Sequence, residues 1–182
     1  MRPYPARRAE SLTFLTRGAI IASLYLTLTL LFAGVSFQAV QVRVAEALTV
    51  LPFFFPEAVW GVALGVALAN LFSPFGVIDL VCGSLLSLIA ALGTFLVGRL
   101  LRPHLRHGWA VALAVLSAPL FPVLANGFGV SGYLLQFGLV SDYTYWGLTV
   151  SILIGQTVAC YGLGGPLLLV LTMRWRETGK IF

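Results

Sequence analysis

The feature that most constrains this chain is a series of long apolar runs separated by short turn-forming segments. A membrane-spanning helix needs about 20 consecutive, mostly apolar residues. Of the 182 residues, 59% are hydrophobic and 9% are charged, whereas about a quarter of the residues in a soluble globular domain are charged. The sequence therefore predicts an all-α membrane protein, and it argues against both a soluble globular domain and a disordered chain.

Six apolar stretches predict six transmembrane helices within one integral membrane domain, residues 1–182. The predicted spans are residues 12–33, 38–55, 57–72, 78–101, 109–134 and 145–173. Turn-forming residues separate them, such as Pro52 and Pro56 around the end of the second span and Pro74 after the third. The first run is longer than the apolar core of a signal peptide, about 7–15 residues, so we expect it to stay in the protein.

The basic residues indicate how the helices are oriented. All but one of the 11 Lys and Arg residues fall into three clusters, which are Arg2, Arg7, Arg8 and Arg17; Arg99, Arg102 and Arg106; and Arg174, Arg176 and Lys180. Basic residues that flank membrane spans are retained on the cytoplasmic side. With six spans in the cell membrane, both termini and the connection after the fourth span are expected to be cytoplasmic. Because topology explains the basic charge, we do not expect nucleic acid as a partner.

A few strongly polar side chains interrupt the apolar segments, where they are costly without a partner or a cavity. The candidates for a substrate-binding site are Gln41, Arg43, Glu46, Asn70, Asp79, Asn126 and Gln156. Most of them fall in the half of the protein that the topology assigns to the outside. We therefore expect them to converge on a pocket that opens outward and captures a solute.

Each of these residues also has a purely structural interpretation. Arg43 and Glu46 are three residues apart and can pair across one helical face as a buried ion pair. Asn70 can satisfy the C-terminus of its helix, and Asp79 can cap the next helix.

Interhelical hydrogen bonds explain Asn126 and Gln156 as well as substrate binding does. Aromatic residues are enriched where helices meet the membrane surface. Such an interfacial belt is expected of Tyr133, Tyr143, Tyr145 and Trp146.

The first span carries two rows of small residues at a spacing of four, Gly18 with Ala22 and Ala19 with Ser23. Small residues at this spacing let another helix approach closely. The second helix can belong either to a partner protein or to this bundle.

Several kinds of chemistry have no support in the sequence. It contains no Walker-type phosphate-binding loop, no spacing of ligands typical of a metal site and no nucleophile with a matching base. Cys82 and Cys160 are read as small packing residues. We expect neither an enzyme nor a cofactor, and a transport cycle driven by ATP requires another chain to hydrolyse it.

The segment 41–70, QVRVAEALTVLPFFFPEAVWGVALGVALAN, resembles the queuosine-precursor transporter family (QueT), whose members carry a similar Q-x-R-x-x-E-A-L-T-V-L-P signature. The resemblance continues through Asp79, recurs at residues 122–126 (PVLAN), and appears again between Cys160 and Pro166.

This resemblance implies the six-helix bundle of a substrate-capture (S) component of an energy-coupling factor (ECF) transporter. Its implied partners are a transmembrane coupling protein and two cytoplasmic ATPases. In that superfamily a row of small residues on the first helix contacts the coupling protein, and here Gly18, Ala19, Ala22 and Ser23 occupy it.

The implied ligand is a deazaguanine base on the route to queuosine. Its guanine-like edge has adjacent N–H donors that one carboxylate can accept, and Glu46 is our candidate for that carboxylate. Candidates for pairing with the carbonyl and ring nitrogen are Gln41, Asn70 and Asn126. Asp79 can offset an aminomethyl ammonium group, while Arg43 orients Glu46 or donates to the carbonyl.

Other functions remain open at this point. An S component can bind another vitamin or a purine-like solute instead. A stand-alone secondary transporter can use Arg43, Glu46 and Asp79 as a proton relay, although no inverted repeat is visible. An intramembrane enzyme using Glu46 and Asp79 as an acid–base pair is disfavoured, because the sequence shows no nucleophile or metal site.

Overall fold

The computed structural model describes residues 4–36, 43–179 and 181, with the side chains of residues 4–9 and 35 outside the description. All regular secondary structure in these ranges is helical. Six helical stretches follow one another, α1 (Tyr4–Leu31), α2 (Val44–Phe53), α3 (Glu57–Asn70), α4 (Gly76–His104), α5 (Gly108–Gln136) and α6 (Tyr145–Thr178). A single helical turn, Ala33–Ser36, follows α1.

The six helices lie where the apolar runs predicted them, but two are short. Four of them, α1, α4, α5 and α6, have the length and composition of a membrane-crossing helix. The 10 residues of α2 form a 3₁₀ helix, which at roughly 2.0 Å per residue is about 20 Å long. The 14 residues of α3 also cover only about 21 Å. Both lengths fall short of the roughly 30 Å of a hydrocarbon core.

Three irregular helical segments meet in the interior. The 3₁₀ helix α2 packs against a π-helical segment of α6, Val158–Gly164. Another π-helical segment, Asp79–Gly83 in α4, packs against α3 and α5. Long 3₁₀ segments are uncommon, and π segments occur often at functional sites. These irregular segments carry several of the candidate polar residues.

Helices α1 and α3 pack closely, and glycines make the approach possible. A Cβ on Gly18 would lie 2.0 Å from the ring of Trp60, and one on Gly61 would lie 2.7 Å from the Gly18 carbonyl oxygen. Ala22 is 2% exposed in the same interface. The row formed by Gly18 and Ala22 therefore packs inside the bundle, and only Ala19 and Ser23 remain on an exposed face.

The basic clusters gather at one end of the bundle. The side chain of Arg17 pairs with Glu57 at the start of α3, with 3.5 Å between Nη1 and Oε1. Arg102 Nη1 donates to the carbonyl oxygen of Phe54 at 3.3 Å. Arg176 Nη2 donates to the carbonyl oxygen of Arg106 at 3.4 Å. This basic end is opposite to the end of the bundle where α1 stops at Leu31, α3 at Asn70 and α5 at Gln136.

Large apolar side chains cover the outside of the long helices. Ile20 on α1 is 60% exposed, Ile89 on α4 60%, Leu116 on α5 63% and Val170 on α6 62%. An apolar exterior of this extent is unfavourable in water and suits contact with lipid chains. The composition and the exterior both indicate a multi-pass membrane protein.

Candidate functional site

A group of buried polar side chains, hereafter the polar cluster, lies in the half of the bundle away from the basic end. Its members come from all six helices or the residue before them, and they are Tyr25, Arg43, Glu46, Asn70, Asp79, Asn126, Tyr133 and Gln156. Each is at most 7% exposed. The structure therefore brings six of the seven candidates together, while Gln41 lies outside the described residues. That they form a pocket opening outward stays a prediction.

Glu46 is the central carboxylate of the polar cluster and is 1% exposed. The hydroxyl of Tyr25 donates to its Oε1 at 2.6 Å. Asn126 on α5 lies close enough to interact with the same carboxylate. The other oxygen, Oε2, is buried without a hydrogen-bond partner among the described residues.

Arg43 precedes α2 in an extended conformation, with φ −92° and ψ 104°. Arg43 and Glu46 therefore do not share a helical face. Its Nε donates to the carbonyl oxygen of Ser36 at 3.1 Å, and its Nη2 lies 3.8 Å from Asp79 Oδ2. The ion-pair contact thus joins the residue before α2 to α4, rather than to Glu46, with which the spacing also allowed a pair. The charge of Glu46 still lies near enough to interact with the guanidinium.

Asp79 and Asn70 connect the end of α3 to the π segment of α4. Asn70 Nδ2 donates to the backbone oxygen of Asp79 at 2.9 Å, and the Tyr133 hydroxyl donates to Asp79 Oδ1. Neither candidate caps a helix, because the Asn70 side chain bonds across to α4 and the Asp79 carboxylate bonds Tyr133 and Arg43. Their structural interpretation as caps is therefore wrong.

The absence of a side chain at Gly83 makes room for the side chains of Asn70 and Asp79. A Cβ there would lie 2.6 Å from Asn70 Nδ2 and 3.1 Å from Asp79 Oδ1. The π geometry places Gly83 against these two side chains. A side chain at this position would disrupt the polar cluster.

Gln156 joins the polar cluster through Cys160. The Cys160 thiol lies 3.6 Å from Gln156 Oε1 and 3.7 Å from the Glu46 backbone oxygen. The same backbone oxygen accepts the Thr49 hydroxyl at 2.6 Å. Cys160 is a buried packing residue, as predicted, and it connects α6 to α2.

Three buried oxygens in the polar cluster lack a hydrogen-bond partner within the described part of the chain, and they are Glu46 Oε2, Asn70 Oδ1 and Asp79 Oδ2. Buried polar atoms in folded proteins are nearly always hydrogen-bonded. All three atoms are acceptors, so the arrangement suits a ligand that presents several N–H donors. In the described residues, no three His, Cys, Asp or Glu side chains come together as a metal site would require.

Comparison with known proteins identifies the family. The sequence model of the QueT transporter family matches residues 15–173. The chain belongs to the QueT transporter family. No curated protein and no solved structure matched. The resemblance found in the signature around Arg43 and Glu46 is thus confirmed over most of the chain, and the family is one of transporters.

The QueT match encloses the entire polar cluster, including two tyrosines that the sequence analysis had not assigned to the site. Tyr133 is 7% exposed and binds Asp79, so its assignment to an interfacial belt is wrong. Each tyrosine lies two helical turns after a residue that the sequence analysis had singled out. Tyr25 is seven residues after Gly18, and Tyr133 is seven residues after Asn126. Residues at that spacing share a helical face, which was the available signal.

Proposed function

We propose that this QueT-family protein is the S component of an ECF importer and that it captures a deazaguanine queuosine precursor at the polar cluster. The observation that carries this proposal is the set of three buried acceptor oxygens without a hydrogen-bond partner among the described residues, although one of them, Asp79 Oδ2, lies 3.8 Å from Arg43 Nη2. A coupling protein and two ATPases would supply the energy, in keeping with a sequence that has no Walker-type loop.

The guanine-like edge fits Glu46. That edge presents a ring N–H beside an exocyclic amine, and a carboxylate can accept both. Tyr25 holds Glu46 Oε1 at 2.6 Å and thereby orients Oε2 away from itself. Asn70, Asn126 and Gln156 are then available to pair with the remaining polar atoms of the base, and Gln41 stays a prediction.

The proposed topology has six membrane crossings, with the basic end in the cytoplasm and the polar cluster toward the outside of the cell membrane. Basic residues at the ends of the long helices favour this orientation. The short helices α2 and α3 would cross within the bundle, where the longer helices shield them from lipid. A ligand would then enter from the outer side near the connections 32–43, 71–75 and 137–144.

Calorimetry with aminomethyl-deazaguanine tests this proposal on protein reconstituted in nanodiscs. Replacing Glu46→Gln turns one acceptor into a donor that faces the N–H groups of the base. We expect affinity to fall roughly 10- to 100-fold, the effect of losing hydrogen bonds to a charged group.

Asp142→Asn is the matched control, because Asp142 is exposed on the last outer connection and bonds only Ser141 among the contacts described. It should bind like the wild type. Unchanged affinity in Glu46→Gln would remove Glu46 from the recognition site, and absence of binding to the wild type would reject the proposed ligand.

A further inference from the structure

An apolar groove runs along the outside of the bundle between α1 and α6, in the half that carries the basic end. Its volume is about 310 Å³. Both helices pack against α2, which lies at the floor of the groove. Apart from Arg17 and Glu57 at one end, the side chains that line it are Ile20, Ile21, Leu51, Phe55, Leu167 and Leu171. Because Ile20 is 60% exposed, the groove is open to the surroundings of the protein.

A second hollow, of about 230 Å³, continues the groove toward the basic end, and the two share Arg17, Phe55 and Glu57. Trp175 near the end of α6 also lines this hollow, with its ring centroid 5.8 Å from that of Phe54. Tryptophan is enriched where a protein meets the boundary between lipid chains and headgroups. The two hollows therefore form one continuous site, with an apolar part and a polar part.

Arginines surround the polar part. The Arg17 side chain is 45% exposed, and its Nη1 lies 3.5 Å from Glu57 Oε1, farther than in a strong charge-assisted hydrogen bond. Arg102 Nη1 donates to the carbonyl oxygen of Phe54, a residue that lines the hollow. Arg174 comes three residues after the last groove residue of α6, so it lies on the same side of that helix.

Positive charge is in excess at this end of the bundle. The charged side chains that the structure describes there are Arg17, Arg99, Arg102, Arg106, Arg174 and Arg176, against Glu10, Glu57 and Glu177. Basic sites between membrane helices attract the headgroups of anionic lipids. The charge of this end therefore complements a phosphate group.

Inside a bilayer no water is available to fill an apolar groove, and acyl chains are the apolar material around the protein. We infer that one phospholipid with an anionic headgroup binds here, with an acyl chain between α1 and α6 and its phosphate beside Arg17. The inference does not depend on the solute that the polar cluster captures. It also places the lipid on a face of α1 other than the one that carries Ala19 and Ser23.

Native mass spectrometry of the purified protein in detergent tests the inference, with phosphatidylglycerol and phosphatidylcholine of identical acyl chains as the added lipids. The wild type should bind one phosphatidylglycerol molecule at least about fivefold more tightly than phosphatidylcholine, the effect of one arginine on an anionic headgroup. Because the two lipids differ in headgroup charge, the ratio of their affinities isolates the contribution of the polar part.

Two pairs of variants locate the lipid. Ile20→Trp places a large ring in the groove and should abolish tight binding of phosphatidylglycerol. Its control is Ile89→Trp, an isoleucine on α4 with the same exposure of 60%, which should bind like the wild type. Arg17→Gln should lower the ratio to about one, because the phosphate loses its cation. Its control is Arg106→Gln, on the connection between α4 and α5, which should leave the ratio unchanged.

Each outcome decides the question. Equal binding of the two lipids to the wild type, or binding of neither, would overturn the inference without affecting the proposed transport function. Tight binding that survives Ile20→Trp would place the lipid outside the groove and would overturn it as well. If Arg17→Gln does not fold because Glu57 loses its contact with Arg17, the comparison of Ile20→Trp with Ile89→Trp alone decides.

Discussion

Single side chains in the polar cluster have separate tasks, which their hydrogen bonds reveal. Tyr25 and Tyr133 each donate to one oxygen of a carboxylate, Glu46 and Asp79 respectively. A tyrosine can orient a carboxylate without neutralising it, because its hydroxyl is a neutral donor. We therefore interpret Tyr25 as a positioning residue that keeps Glu46 Oε2 directed toward the ligand.

Replacing Tyr25→Phe should weaken binding of aminomethyl-deazaguanine. The change removes the hydroxyl that bonds Glu46 Oε1 and so positions the carboxylate less firmly. Loss of a hydrogen bond to a charged group, about 1.5–3 kcal/mol, corresponds to roughly 10- to 100-fold in affinity measured by calorimetry. Tyr145→Phe is the control, since its hydroxyl makes only a 3.4 Å contact to the Phe128 carbonyl oxygen at an exposed site. Equal affinities in the two variants would contradict the role of Tyr25.

The sequence could predict the charged members of the polar cluster but not their pairing. Arg43, Glu46, Asn70 and Asp79 were recognisable because such residues are costly in an apolar segment. Their partners depend on backbone geometry that no local pattern determines, since Arg43 is extended and Asp79 lies in a π segment. Tyr133 was misjudged because tyrosines near a helix end are ordinarily interfacial.

Among individual helices, α1 has two faces with different tasks. Its inner face packs against α3 through Gly18 and Ala22, and it also supplies Tyr25 to the polar cluster. Its outer face presents Ala19 and Ser23. The sequence predicted both small-residue rows and left open which one faces a partner. Because α3 already covers the inner row, we propose that the outer row is the one that faces a partner.

Two alanine substitutions on α1 separate these faces. Ala22→Leu inserts atoms into a tight interface and should destabilise the fold by about 1–3 kcal/mol, seen as a lower thermal unfolding temperature. Ala19→Leu should leave unfolding and ligand binding unchanged, yet reduce co-purification with the coupling protein. If Ala19→Leu co-purifies like the wild type, the outer row is not the docking surface.

In the complete bundle the basic side chains lie at one end and the polar cluster lies in the opposite half. This distribution predicts how the protein is oriented across the membrane. The basic end joins the start of α3 to the connections after α2 and α4, through Arg17, Arg102 and Arg176. The polar cluster lies in the opposite half. Composition and the apolar runs were sufficient to predict this layout, because the bilayer restricts which residues can lie between the two ends. The second and third runs, 38–55 and 57–72, were already the shortest, but the 3₁₀ geometry of α2 was not predictable from them.

Cysteine labelling with a membrane-impermeant maleimide tests this direction. Gly34→Cys lies beside the outer connection and Gly108→Cys beside the basic one, and a Cβ at either position meets no atom within 4 Å. We expect Gly34→Cys to react in intact cells and Gly108→Cys only after the membrane is opened, because the Arg-rich end is retained in the cytoplasm. The wild type measures the background from Cys82, which is half-buried, and Cys160, which is buried. The reverse pattern would place the polar cluster on the cytoplasmic side, where it could not capture a solute from outside, and an importer would then be the wrong assignment.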